Sequence, residues 1–417
     1  MAEQKGKILV IGGGISGVTT ALEAAEVGYE VILVEKNPTL GGRVSKLYQY
    51  FPKLCPPMCG MEINYRRLRP NPFIQTLVNS EIESITGEAG NYQVKIKTNP
   101  SYVNEKCVIC DKCVDVCPSE IDNDYNYGMD KTKAIYFSNK MAYPAKYTID
   151  RAACEEGCSK CVDVCDYDAI DLQMQPQTKE IEVAAVVYAT GWRPYDARKI
   201  DNLGFGKVPN VINNVMLERL AHGQGPTKGQ ILRPSDNKKV DSIVFVQCAG
   251  SRDENHLPYC SSICCLASLK QAMYVRKANP DAKVYIFYID IRTPGKYEDF
   301  SNKVQQDENI ILVKGKVASV IAGEGENVVV EAEDILNGGK INLEVDMVVL
   351  ATGMESSLKG QKLPDVVQLD ENGFIAPQLQ EHGIISAGVA KFPGDVSSSI
   401  QDSTGAALKA IQTVVGK

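Results

Sequence analysis

No stretch of this sequence is apolar for longer than a strand. The longest runs, residues 184–188 and 347–350 among them, fall far short of the roughly 20 residues a helix needs to cross a bilayer. Residues 1–7 lead directly into a strand and a glycine loop, with no apolar region behind them. That pattern excludes a secretory signal, so a cytoplasmic location is expected. There is no block of Lys or Arg, and the net charge is -7. Electrostatic binding to nucleic acid is thereby excluded. Histidine is scarce: only His222, His256 and His382 are present, none in a catalytic-looking setting. No Ser-His-Asp set, paired carboxylates or P-loop stands out. Hydrolytic and phosphoryl-transfer chemistries therefore have no visible machinery, and redox chemistry is left.

Cysteine, by contrast, is plentiful. The 417 residues contain 14 cysteines, and the length fits two or three domains. In a reducing compartment such a number points to metal ligands or redox groups rather than structural disulfides. The cysteines fall into four groups: Cys55 and Cys59; Cys107, Cys110, Cys113 and Cys117; Cys154, Cys158, Cys161 and Cys165; Cys248, Cys260, Cys264 and Cys265. Structural core cysteines would be scattered.

Residues 7–11 read as a buried strand. They run into Gly12-Gly13-Gly14-Ile15-Ser16-Gly17, then a helical stretch at 18–27, then a second strand at 30–34 ending at Glu35 and Lys36. Gly12 permits the tight turn, Gly14 lets backbone approach a pyrophosphate, and Gly17 lets helix and strand pack closely. The helix start offers free N–H groups to phosphates, and Glu35 stands where an acid holds ribose hydroxyls. The alternative is a glycine turn without a ligand. Gly41-Gly42-Arg43 resembles the segment that follows the ribose acid in FAD-dependent reductases and oxidases. Two apolar strands end in Ala-Thr-Gly, at Ala189-Thr190-Gly191 and again at residues 351–353. They resemble the domain-closing strands of two-domain flavoprotein reductases. Near the carboxyl end, residues 383–388 form a strand and turn at Gly388, and 397–415 read as a closing helix. In that family a Gly-Asp follows the strand directly. Here Asp395 comes later and is expected to serve from a longer loop.

Between the halves of the first domain, Cys107-x2-Cys110-x2-Cys113-x3-Cys117-Pro118 matches the bacterial ferredoxin run. A second run follows with a wider first gap, and with Asp166 where proline is usual. In two-cluster ferredoxins the fourth cysteine of one run serves the other cluster. One [4Fe–4S] cluster is thus expected on Cys107, Cys110, Cys113 and Cys165, the other on Cys158, Cys161, Cys117 and Cys154. Structural zinc is the alternative. The insert is read as residues 99–171; without it the strand pattern of 92–96 resumes at 180–188.

The second domain opens with a strand at 242–246. In place of a second glycine loop for a nicotinamide nucleotide stand Gln247-Cys248-Ala249-Gly250-Ser251-Arg252 and then Cys260, Cys264 and Cys265, with a helix expected at 266–277. A third cluster is the reading preferred; a dithiol pair and nicotinamide binding remain open. Cys55 and Cys59 flank two prolines, which disfavour thioredoxin-style geometry. They are a candidate redox pair or simply a rigid turn.

The fold class expected is α/β: two Rossmann-like domains of the two-domain flavoprotein reductase type with an inserted ferredoxin-like domain. Residues 1–98 and 172–235, with 345–417 closing, make an FAD domain, and 236–344 make the second Rossmann-like domain. The segment 247–265, the flavin fingerprint and the insert resemble the A subunit of heterodisulfide reductase. The short form resembles the A subunit of the quinone-interacting membrane-bound oxidoreductase of sulfate reducers. The resemblance implies a second flavoprotein subunit of the same type and a membrane-anchored haem and iron–sulfur subunit as partners. It also implies membrane association through them, and electron exchange between menaquinone and adenylylsulfate reductase. A self-contained NAD(P)H-dependent disulfide reductase is the competing reading.

Overall fold

The computed structural model describes residues 6–416; residues 1–5, most of the expected leaderless start, lie outside the described residues. The chain divides into two compact units. One comprises residues 1–45, 58–192 and 356–417, the other residues 46–57 and 193–355.

The first unit is built on a five-stranded parallel sheet ordered Ile384–Ser386, Ala185–Tyr188, Ile8–Ile11, Val31–Val34, Ile74–Leu77. These strands are short and almost wholly apolar because helices or a second layer cover both faces, as parallel sheets require. Helix Ile15–Glu26 connects the first two strands in chain order, and the closing helix Val396–Val414 packs beside it, with the Thr20 hydroxyl donating to the Ser403 carbonyl at 3.2 Å. A three-stranded antiparallel sheet, Ser80–Glu88, Asn91–Thr98 and Gln177–Val183, shares a core with the parallel one through Ile85, Tyr92, Val94, Ile96 and Val186.

The insert leaves this antiparallel sheet at one point and returns beside it: Thr98 pairs with Gln177. The break therefore falls inside a hairpin and costs the sheet no register. The expected return strand at 180–188 is in fact two, Gln177–Val183 and Ala185–Tyr188, which serve different sheets. Inside the insert the hexapeptide Lys-Cys-Val-Asp-Val-Cys occurs at 112–117 and again at 160–165. Each copy forms a four-residue helix, Lys112–Asp115 and Lys160–Asp163. Val103, Ile135, Tyr147, Ile149 and Ile170 fill the small core between them.

The second unit carries its own parallel sheet, ordered Val211–Asn213, Met347–Thr352, Ser242–Ala249, Lys283–Tyr288, Ile310–Lys314. A three-stranded antiparallel sheet, Val317–Ala322, Val328–Glu333 and Lys340–Val345, packs against it. The Rossmann-like layout is the expected one, but the borders differ. Residues 193–235 and 345–355 belong with the second unit. The reason is sheet order: Met347–Thr352 pairs on one side with Val211–Asn213 and on the other with Ser242–Ala249.

Candidate cofactor sites

The glycine loop follows the central strand of the first sheet. Gly12 has φ +109°, and a Cβ there would strike the Ala189 carbonyl oxygen. A Cβ on Gly17 would lie on the Gly12 carbonyl oxygen, so the turn closes only with glycine at both places. Gly14 caps the start of helix Ile15–Glu26 with extended backbone and no side-chain cap, which leaves the helix N–H groups to a ligand. Gly42 lies against Gly14, and Gly388 against Ser16. Thus Gly12, Gly14, Ser16, Gly17, Gly42, Ala189 and Gly388 meet around one loop, with Ile15 opening the helix.

Glu35 is buried at the end of Val31–Val34. Its carboxylate accepts from the Gly13 N–H at 2.6 Å and from the Asn37 N–H at 2.8 Å and side-chain amide at 2.6 Å. Burial raises its pKa above the usual carboxylate value, and these bonds offset part of the rise. Lys36 beside it is exposed. Arg43 donates to the Trp192 carbonyl, stacks over that indole at 4.9 Å, and reaches the Tyr127 hydroxyl at 3.2 Å. The Thr190 hydroxyl, in the Ala189-Thr190-Gly191 turn, and the Ser386 hydroxyl are buried with no hydrogen-bond partner among the described residues. Orphaned donors beside a glycine loop are what an FAD-sized ligand would satisfy.

Asp395, expected to serve the flavin from a longer loop, accepts from the Ser398 N–H at 2.7 Å and caps the closing helix. The acid that meets the Gly388 turn is Asp402, which accepts from the Gly388 N–H at 2.8 Å and from Lys391 Nζ at 2.8 Å. No local motif marks it, because it comes from the helix rather than the loop.

The insert holds two cavities. The first is lined by Cys107, Cys110, Cys113 and Cys165 with Val103, Tyr147 and Ile170. The second is lined by Cys117, Cys154, Cys158 and Cys161 with Ile135 and Ile149. These are the two crossed sets that the spacing predicts. Burial, reinforced by Cys107 and Cys110, pushes the Cys113 thiol up to about 12. Burial with Cys154 and Cys158 nearby raises Cys161. Such thiols ionise only for a bound cation. Four sulfurs around an apolar space are a donor set that a [4Fe–4S] cluster, or a structural zinc, would use.

In the second unit Cys248 sits at φ +55°, at a bulge where three steps, Val246 to Ala249, face two, Leu350 to Thr352. The bulge turns the strand end and re-aims the side chain. Cys264 and Cys265 are the first residues of helix Cys264–Ala278, which begins two residues earlier than expected. Their sulfurs reach the Thr352 and Asp290 carbonyls at 3.7 Å each. Burial and the mutual proximity of Cys248, Cys260, Cys264 and Cys265 raise the Cys264 thiol strongly. His256 bonds the Tyr195 hydroxyl at 2.8 Å through Nδ1. Cys55 precedes, and Cys59 lies inside, helix Met58–Leu68; both are exposed.

No helix among the described residues is long and apolar enough to cross a membrane. Residues 7–110 match the family model of FAD dependent oxidoreductases. The chain is 35% identical to the A subunit of the H(2):CoB-CoM heterodisulfide,ferredoxin reductase of Methanothermobacter thermautotrophicus, over 97% of its own length and 63% of that protein's. It is 36% identical to an iron-sulfur A subunit of the CoB–CoM heterodisulfide reductase of Methanopyrus kandleri, over 98% of its length and 64% of that protein's. The chain thus spans less than two thirds of these relatives. In fold it is similar to thioredoxin reductases. That of Lactococcus lactis superposes with a TM-score of 0.55 at 12% identity, covering 99% of this chain and 100% of that one. That of T. acidophilum gives 0.51 at 14%, with the same coverage. Over nearly its whole length the chain is thus similar in sequence to heterodisulfide reductase A subunits, and it is similar in fold to thioredoxin reductases.

Proposed function

We propose that this chain is an electron-relay subunit of a multisubunit oxidoreductase, holding FAD in its first unit and iron–sulfur clusters in the insert and the second unit. The observation that carries the reading is the pair of insert cavities, each faced by four cysteines drawn from both runs. Gly12, Gly14 and Gly17 let the backbone approach a pyrophosphate, Glu35 fixes the loop through Gly13, and Gly42, Ala189, Thr190, Gly191 and Gly388 close around it. FAD, when bound, would supply exchange between two-electron and one-electron chemistry. The two insert sets, Cys107, Cys110, Cys113 and Cys165 with Cys117, Cys154, Cys158 and Cys161, would hold two [4Fe–4S] clusters. Cys248, Cys260, Cys264 and Cys265 would hold a third. No side chain is needed as acid or base.

The finer reading rests on the family resemblance. It places the chain beside a second flavoprotein subunit and a membrane-anchored haem and iron–sulfur subunit, in the cytoplasm but membrane-associated through them. There it passes electrons between menaquinone and adenylylsulfate reductase. The relatives' own names speak of ferredoxin and heterodisulfide, so the acceptor is a question for co-purification from native membranes. A self-contained NAD(P)H-dependent disulfide reductase has less support, because the loop at 247–252 lacks the glycines that would admit a nicotinamide pyrophosphate. Cys55 and Cys59 remain its candidate dithiol.

Anaerobic iron, sulfide and flavin analysis tests the reading. About eight to twelve iron per FAD is expected for two or three four-iron clusters, with bleaching by dithionite and not by NADH. Little iron and rapid bleaching by NADH would overturn it. Gly17→Val, which drives a side chain into the Gly12 carbonyl, should yield protein without flavin absorbance that keeps the insert's iron.

A further inference from the structure

Loop 40–45 meets the glycine loop closely. The Gly41 N–H donates to the Gly13 carbonyl at 2.8 Å, the Leu40 side chain lies against Gly13, and Gly42 lies against Gly14. The same loop is also held by the insert. The Tyr125 hydroxyl donates to the Ser45 carbonyl at 2.6 Å, and the Tyr127 hydroxyl accepts from Arg43 Nη1 at 3.2 Å. The Leu40 N–H donates to the Tyr143 carbonyl at 2.8 Å, and the Tyr143 ring stacks on Tyr65 at 5.4 Å.

Tyr125 and Tyr127 sit at the tip of a hairpin, between strands Glu120–Asp122 and Lys131–Lys133. The tip is fixed from within. The Asn123 side chain accepts from the Tyr125 N–H at 3.1 Å, and the Asn126 amide donates to the Asp130 carboxylate at 2.8 Å. Both feet of the hairpin stand at the second cysteine cavity: Cys117, Pro118 and Ser119 before it and Ile135 after it. The Ala134 N–H ties the feet together by donating to the Ser119 carbonyl at 3.0 Å. Whatever orders that cavity therefore orders the hairpin, and the hairpin orders loop 40–45.

We propose that the insert is part of the flavin site: Tyr125 and Tyr127 hold loop 40–45 in place for FAD, so that affinity for FAD depends on metal in the second cysteine cavity. The inference rests on the FAD and cluster readings above. In a small ligand-dense domain metal binding is folding energy, so an insert without metal would release its grip on the loop. A loop already held need not be ordered when the ligand arrives, and the saved entropy appears as affinity. Coupling of this kind is reciprocal. Tyr125 and Tyr127 are positioning residues: they act on the flavin site through loop 40–45.

The test measures FAD affinity of the intact chain, with iron counted in every variant. Flavin is removed, FAD is added back anaerobically, and free flavin is read after ultrafiltration. Tyr125→Phe/Tyr127→Phe keeps both rings and removes both hydroxyls. It should weaken FAD binding about tenfold at unchanged iron content, as the loss of two hydrogen bonds would. Tyr167→Phe, at an exposed tyrosine of the same insert, should bind FAD as the wild type does. Cys158→Ser, which removes a sulfur from the second cavity, should weaken FAD at least as much as the Tyr pair. Combining all three changes should weaken it no further than Cys158→Ser alone, because they act on one path. The inference is overturned if the Tyr pair binds FAD normally or weakens only together with iron loss, or if its effect adds in full to that of Cys158→Ser. Should Cys158→Ser not be recovered in soluble form, wild type stripped of iron by chelator takes its place. Wild type that takes up no FAD would sink the flavin reading, and Cys158→Ser with full iron the cluster reading; each is a separate failure.

Discussion

The insert and the second unit gather cysteines in opposite ways. The insert consists of little besides its cysteine runs: its strands and helices are two to four residues long, and Cys113 is itself part of the core. In the second unit the four cysteines stand at the rim of a five-stranded parallel sheet, over a core that runs from Ala197 to Leu350. The cluster assignments proposed above thus make opposite demands on the two regions. The insert has little apolar burial of its own to hold its shape, whereas the second unit has a scaffold independent of any ligand.

Removing iron should expose this difference most strongly. Chelation under denaturant-free conditions, or Cys113→Ala, is expected to open residues 99–176 to protease at least about tenfold faster than the second unit, in line with metal binding being folding energy in small ligand-dense domains. Equal cleavage rates in the two regions would break the comparison.

The second unit should fail instead through its interior. Lys270 and Glu218 pair at 2.9 Å, each with only 3% of its side chain exposed. Around them the Lys270 ammonium donates to the Gln49 carbonyl at 2.7 Å and Gln271 to Glu218 at 2.6 Å. Lys270→Met removes the ammonium that pairs with this buried carboxylate and should cost about 3–5 kcal/mol. Denaturant unfolding should register that loss while the EPR of the insert stays as in the wild type. A second change, Glu218→Leu, should restore much of it.

The smallest effect expected is on pH dependence. Burial, with Arg219 adding to it, pushes His222 from 6.5 down to about 4. Folded protein keeps the ring neutral while the unfolded chain takes up a proton below 6.5. Stability of the second unit should therefore decline as pH falls from 6.5 towards 4, and show no His222 contribution above that window. His222→Gln should flatten the profile by that part. The insert contains no histidine and should show no such component.

How much of this is readable in the chain depends on the span of the interactions. The insert's crossed sets are legible because ligand spacing is local and repeats. The βαβ start is legible for the same reason. The edge strand Val211–Asn213 is not: it has three residues and exists only because Met347–Thr352 offers it a partner far along the chain. Local pattern therefore puts residues 193–235 on the wrong side of the border. Arg43 stands out beside its two glycines, but its carbonyl and ring partner Trp192 does not. Asp402 escapes because a helix, not a loop, carries it back to Gly388.

The bulge at Gln247 and Cys248 has one more consequence. Side chains alternate along a strand, so a single extra residue decides which one ends on which face. Deleting one residue between Val246 and Ala249 would bring the ladder with Leu350 and Thr352 back into step and turn the remaining side chain to another face. The cysteine rim proposed to bind a cluster and an ordinary strand end are then separated by one codon's insertion or loss, a short mutational path that leaves the core of the sheet unrebuilt.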